Sequence, residues 1–264
     1  MTPIYDYDGY NDKMNKSMLD KLFFLSHVDA DIFVDFGCAD GAMIRTMSRI
    51  DPESLYIGYD NDLEMIEKAI LLKENSRNVF LTNWKTIESF LEDSNYPYSK
   101  SCLILSSVIH EVFSYEDEKG IEEFYQRVFN SGFDYIAVRD MALCYDPLSY
   151  KNVANPSSWI EDIYKTADSC QVKEFEDVWG KLNLNNNAIH FLLKYKYVDN
   201  WEREVKENYF SYDLDKFIDV GYDAGYKVNY HEYFYVPFIR RQIFKDFGFW
   251  LNENTHYKLI LEKK

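Results

Sequence analysis

At 264 residues the chain is long enough for one large domain with a full hydrophobic core, or for a domain carrying a sizeable insertion. Its net charge of -16 argues against a general affinity for nucleic acid or anionic membrane, since both need clustered Lys and Arg, although a local basic patch can overrule the total. No stretch is long and apolar enough to span a bilayer, and the start (Met1 to Tyr10) is acidic and Tyr-rich rather than basic and then apolar, so a soluble, cytoplasmic protein is expected.

From Asn11 to Ser26 the sequence predicts an amphipathic helix, with Met14, Met18, Leu22 and Leu25 on one face and Lys13, Lys16, Asp20 and Lys21 elsewhere. Ile32, Phe33, Val34 and Phe36 then form an apolar run without clean alternation, which suits a parallel strand covered on both faces. Gly37 and Gly41 bracket a tight turn, and Ala42, Met43, Ile44 and Met47 continue at helical spacing. Asp51-Pro52 is a turn, Leu55 to Tyr59 a second strand ending in Asp60, and Asn61 or Asp62 caps the next helix. Asn78 to Leu81 is a third strand, followed by a short helix from Trp84 to Leu91 that Tyr96-Pro97 breaks.

Cys102 to Ser106 is a fourth strand leading into Ser107-Val108-Ile109-His110-Glu111-Val112. An acidic helix start at Ser114 to Glu118 predicts a helix to about Asn130, stopped by Gly132, and Phe133 to Val138 is a fifth strand. Strand and helix therefore alternate five times, which implies a doubly wound, mostly parallel sheet of the α/β class. From Met141 to about Ser211 no strand signal appears. Ser158 with Glu161 forms a capping-box pattern, Gly180 is a helix stop, and a polar Asn183 to Asn187 loop precedes a helical run from Ala188 to Val198. We read residues 141–210 as a helical insertion that folds over the ligand edge of the sheet, or else merely covers apolar surface or makes a dimer contact. Residues 1–140 and 211–264 form the main domain, which closes with a helix from Asp213 to Ala224 and strands from Tyr226 to about Val236 and from Tyr257 to Leu261. With no clear helix between them, that last pair is expected to be antiparallel.

The turn from Gly37 to Gly41 has the outline of a nucleotide site. Asp60 lies 23 positions after Gly37, where an acid meets ribose hydroxyls in doubly wound folds, unless it serves as a helix cap. Ala39 stands in place of the second glycine of G-x-G-x-x-G, and Asp40 would repel a pyrophosphate, so a ligand carrying a cation fits better than a dinucleotide. His110 and Glu111 follow the fourth strand at the carboxyl edge of the sheet, and Arg139-Asp140 ends the fifth at the same edge. His110 is a candidate base with Glu111 as its orienter, against a structural reading of both. Arg139 and Asp140 either bind an acidic substrate or form a structural ion pair. His110, Glu111 and Asp140 have no known metal-ligand spacing, and Cys38, Cys102, Cys144 and Cys170 make neither a C-x-x-C pair nor a zinc pattern, so no metal is expected and the thiols should be reduced.

Asp35-Phe36-Gly37-Cys38-Ala39-Asp40-Gly41, with Asp60 after the second strand, resembles motif I and the following acidic position of the class I S-adenosylmethionine-dependent methyltransferases. The resemblance covers roughly Asp31 to Val138 and Tyr226 to Leu261. It implies a seven-stranded sheet with an antiparallel C-terminal strand pair and S-adenosylmethionine as cofactor. Asp35 and the Gly37, Cys38, Ala39 and Gly41 backbone would face the methionine end, Asp60 the ribose and Asn61 the adenine. Asn83 and Trp84 after the third strand, and Ser106 at the end of the fourth, would complete the cofactor site. Tyr10, with Tyr5 and Tyr7, either covers the cofactor and its acceptor or is a loose tail. A small-molecule acceptor is the first expectation. RNA or protein is the second, since Lys194, Lys196, Arg203 and Lys206 lie near Trp201, and Arg240-Arg241 near Phe238. A non-catalytic domain that keeps the cofactor fold and a nicotinamide-dependent oxidoreductase are the rival readings.

Overall fold

The computed structural model describes residues 17–92, 100–143, 157–183 and 185–264. Tyr5, Tyr7, Tyr10, the Tyr96-Pro97 break and Cys144 lie outside them. The order opens with α1 (Met18–Lys21), which runs into a 3-10 turn (Leu22–Ser26), and continues β1 (Ile32–Phe36), α2 (Ala42–Ile50), β2 (Leu55–Tyr59), α3 (Leu63–Leu72), β3 (Val79–Leu81) and α4 (Trp84–Leu91). Then come β4 (Ser101–Ser106), α5 (Ile109–Tyr115), α6 (Glu118–Asn130) and β5 (Tyr135–Met141). The helical stretch holds α7 (Ser157–Thr166), α8 (Ser169–Trp179), α9 (Asn185–Lys194) and, after a 3-10 turn, α10 (Trp201–Glu204). The chain closes with α11 (Leu214–Asp223), β6 (Tyr226–Phe234), α12 (Pro237–Phe247) and β7 (His256–Lys263).

The seven strands form one sheet in the order β3-β2-β1-β4-β5-β7-β6. β1 pairs in parallel with β2 and β4, as β2 does with β3 and β4 with β5, while β7 runs antiparallel to both β5 and β6. β1 lies inside the sheet between β2 and β4, and all five of its residues are buried, which is why its apolar run does not alternate. Successive β4 residues go to opposite faces: Cys102 and Ile104 join one core with Phe33, Ile44 and Met47, and Leu103 and Leu105 join another with Phe36, Phe124 and Phe217.

Two expectations need correction. A helix, α12, does lie between the last two strands: Pro237 stands in its first turn and Gly248 closes it in the left-handed region at φ 80°. α12 also shares a third core with the insertion, where Ile243, Phe247 and Leu251 pack among Ile163, Phe175 and Phe191. The helical layer is thus built from two separate segments of chain. The basic-aromatic patch around Trp201 is only partly at the surface, because Lys194 and Arg203 are buried while Lys196 and Lys206 are exposed. Lys194 donates to the carbonyls of Glu204 and Glu207 beneath the ring of Tyr209.

Candidate active site

The turn after β1 departs from ordinary backbone at three positions, with φ of 76° at Gly37, 47° at Ala39 and 74° at Gly41. Glycine at 41 is also a packing requirement, because a Cβ there would sit 2.6 Å from Cε1 of Phe80. Asp62, not Asp60, caps α3, accepting from the backbone N–H of Glu64 and Met65. That leaves Asp60 to tie the turn together: its Oδ2 accepts from Ala39 N at 2.9 Å and its Oδ1 from Asp62 N at 3.0 Å. Each oxygen keeps further lone-pair capacity toward the space in front of it.

That space is a cavity of about 410 Å³, within the roughly 300–1,000 Å³ range of ligand pockets. Asp35, Gly37, Cys38, Ala39, Asp60, Asn61 and Ser106 all line it, whereas Gly41 lies just behind the wall at the start of α2. The buried Oγ of Ser106 has no hydrogen-bond partner, so the wall presents an unsatisfied polar atom. Asp35 is only 3% exposed. Burial, reinforced by the nearby Asp60 and opposed by Lys21, raises its pKa to about 7. Lys21 lines the same cavity, its pKa lowered to about 8 by burial and then by Arg139. Lys21, placed by the sequence off the apolar face of its helix, is therefore a buried residue of the cavity wall. The clue was its neighbourhood, since Leu22, Phe23 and Phe24 follow it directly.

Asn83 and Trp84 stand elsewhere. Asn83 spends its side-chain oxygen on Lys85 N as the cap of α4. Trp84 is buried in the core against Phe36 and Tyr59, with Nε1 donating to Ser131 Oγ. Neither borders the cavity.

A smaller pocket of about 60 Å³ adjoins the cavity through Ser107 and Glu111, under the helical layer. His110 lines it, and Asp140 fixes His110 from behind. Oδ1 of Asp140 accepts from His110 Nδ1 at 2.6 Å and from Met141 N at 2.8 Å. Its Oδ2 accepts from Ile109 N at 2.8 Å and His110 N at 3.2 Å. With an acceptor facing Nδ1, that nitrogen carries the hydrogen and Nε2 points into the pocket. Nε2 lies 3.9 Å from Oε1 of Glu207. Burial pulls the His110 pKa down, but Asp140, Glu207 and Glu111 outweigh it and raise the value to about 9. Glu111 pairs with Arg203 at 2.9 Å, and Glu207, buried nearby, lies 3.7 Å from the same guanidinium.

Arg139 lines this pocket but also donates to Asp20 at 3.2 Å and to Ser107 Oγ at 2.8 Å, so it carries a structural ion pair. Asp140 is fully buried behind the pocket. Sequence reasoning placed Arg203 only in a basic patch near Trp201 and missed Glu207; both lie more than ninety positions from Glu111 and reach it through the packing of the insertion.

Compared with models of protein families the sequence matches none, and no curated protein matches it. Solved structures do match over nearly the whole chain. A methyltransferase from Anabaena variabilis described as S-adenosylmethionine-dependent aligns at a TM-score of 0.52 and 10% identity, over 98% of this chain and 95% of its own. One from Archaeoglobus fulgidus aligns at 0.50 and 14% identity, over 97% and 100%. The plantazolicin methyltransferase BamL, solved with S-adenosylhomocysteine, aligns at 0.50 and 10% identity, over 97% and 88%. The chain has the fold of the S-adenosylmethionine-dependent methyltransferases, with its mostly parallel sheet and reversed seventh strand. Among the described residues no helix is long and apolar enough to cross a membrane.

Proposed function

We propose that the protein is an S-adenosylmethionine-dependent methyltransferase that moves a methyl group to an oxygen or nitrogen of a small-molecule acceptor. The observation that carries the reading is the buried amine of Lys21 and the buried carboxyl of Asp35 in the wall of the cavity that Asp60 borders. A methionine end carries an ammonium and a carboxylate, and this pair supplies one partner for each. Asp60 offers both oxygens to ribose hydroxyls, Asn61 lies beside it for the base, and Ser106 has an unspent hydroxyl. When bound, the cofactor supplies a methyl group activated by its sulfonium sulfur.

The acceptor reading rests on the adjoining pocket. Tyr197, Tyr209 and Phe238 line it together with the acids Glu111, Glu204 and Glu207. A small acidic and aromatic pocket suits a small polar molecule, whereas an open basic groove would suit RNA. Glu111 stands at the join of the two spaces and His110 lines the pocket beside it, so their part is to orient a nucleophile toward the cavity. In the ligand-free site His110 keeps its proton up to about pH 9, so it accepts another group's proton only after its own has been displaced.

The test is incubation with methyl-labelled S-adenosylmethionine and two acceptor panels, one of small hydroxyl and amine compounds and one of structured RNAs. Label should pass to a small compound and be lost in Asp60→Ala. Label on RNA alone would overturn the acceptor assignment.

A further inference from the structure

His110, Glu111 and Glu207 form a cluster that neither the fold nor the cofactor cavity requires. Each offers one ligand atom, a ring nitrogen or a carboxylate oxygen, and those atoms lie within 4.8 Å of one another. Ligand atoms about 2.1 Å from one ion are at most roughly 4.2 Å apart, so closing on an ion needs less than about 1 Å of movement. The three residues come from two distant parts of the chain, the α5 turn and the end of the insertion, and all three line the same small pocket.

Two further observations point to a ligand there. Oε1 of Glu207, a residue only 2% exposed, has no hydrogen-bond partner: the Arg203 guanidinium and His110 Nε2 stand off from it at 3.7 and 3.9 Å, beyond hydrogen-bond reach. An oxygen held dry without a donor is costly unless something else satisfies it. Asp140, in turn, holds His110 by Nδ1 at 2.6 Å, the carboxylate-to-imidazole arrangement that commonly orients a metal-ligating histidine and turns its other nitrogen to the ion.

We infer that His110 Nε2, Glu111 and Glu207 bind one divalent cation at the join of the cofactor cavity and the acceptor pocket. One imidazole and two carboxylates suit Mn²⁺, Fe²⁺ or Zn²⁺ better than Ca²⁺, which takes all-oxygen sets. The pocket of about 60 Å³ leaves room beside the three side chains for further small ligands such as water. An oxygen of the acceptor can take one of those positions, and in this respect only the inference rests on the methyltransferase reading. It then favours a hydroxyl-bearing acceptor over an amine, because a metal lowers the pKa of a bound hydroxyl. Arg203 now neutralises both acids, and a bound cation displaces it from Glu207 while its closer contact with Glu111 remains.

The experiment uses tag-free full-length protein, Mn²⁺ as probe and pulsed paramagnetic resonance, with S-adenosylhomocysteine binding followed in parallel by calorimetry. One Mn²⁺ per chain is expected, coupled to a single imidazole nitrogen. Glu207→Gln should weaken binding at least 10-fold, and His110→Asn should remove the nitrogen coupling. Absence of Mn²⁺ binding, binding without nitrogen coupling, or coupling and affinity unchanged in Glu207→Gln would each overturn the site. If His110→Asn does not fold, the nitrogen coupling of the native protein and the Glu207→Gln affinity decide. The calorimetry separates the two readings: S-adenosylhomocysteine bound with no Mn²⁺ site sinks the metal alone, and Mn²⁺ bound without S-adenosylhomocysteine sinks the cofactor alone.

Discussion

Asp60 accepts the backbone N–H of Ala39 at 2.9 Å, so the acid that ends β2 holds the strained apex of the turn that ends β1. One carboxylate therefore shapes the turn and faces the cavity. Asp60→Ala removes two bonds to a charged group, together worth roughly 2–3 kcal/mol where buried. S-adenosylhomocysteine affinity should fall roughly 30- to 150-fold at about 1.4 kcal/mol per decade, measured by calorimetry. A change under about threefold would remove Asp60 from the ligand site.

Asp35 makes binding pH-dependent. Burial holds its carboxyl protonated up to about pH 7 in the free protein, against an ordinary value of 3.8. Between those values the fold keeps a proton that the unfolded chain has lost, so the stability of the free protein falls as pH rises through that window. A ligand ammonium beside Asp35 favours the ionised form, and binding below about pH 7 must expel the proton. S-adenosylhomocysteine affinity should therefore climb from pH 5.5 to 7, by at most about tenfold per unit, and then level off. Asp35→Asn should flatten the profile. An affinity that falls across this range would contradict the assignment.

Gly41→Ala forces a Cβ against the Phe80 ring and holds alanine at φ 74°. The left-handed backbone alone costs about 1–2 kcal/mol. Gly132, at φ 83° with nothing within 4 Å, isolates that backbone cost. Urea unfolding should show Gly41→Ala losing clearly more than Gly132→Ala. Equal losses would mean that Phe80 gives way without cost.

Asp140→Asn replaces one acceptor oxygen with an amide donor among four N–H groups. A loss of about 3 kcal/mol is expected, as for a broken buried pair. The His110 pKa, which burial lowers but Asp140 and its neighbours lift to about 9, should drop, and imidazole proton shifts followed by NMR would show it. An unchanged titration would mean that Asp140 is not the dominant partner.

The parts of the site that lie close in sequence were legible in it. β1, the glycine turn and α2 form one continuous signal, and Asp60 follows one strand later, because a parallel sheet brings the carboxyl ends of neighbouring strands together. Asp62 was one of two readable caps, with Asn61 the other. What escaped depends on tertiary packing. Glu207 reaches His110 on a segment that Lys194 fastens by the Glu204 and Glu207 carbonyls and that Ser114 holds by Asn208. Lys21 reads as a surface residue on its helix, but α1 ends there and the 3-10 turn that follows redirects the chain. α12 had a signal that was passed over, with Pro237 opening it and Gly248 closing it. Asn83 was placed by analogy of position, whereas its amide oxygen is spent on capping α4.

The central claim is that the cavity between β1, β2 and β4 takes S-adenosylmethionine. Calorimetry of the native protein with S-adenosylhomocysteine and, separately, with NAD tests it most directly. One molecule of S-adenosylhomocysteine should bind per chain, and NAD should give no heat. Tight NAD binding with no response to S-adenosylhomocysteine would contradict it.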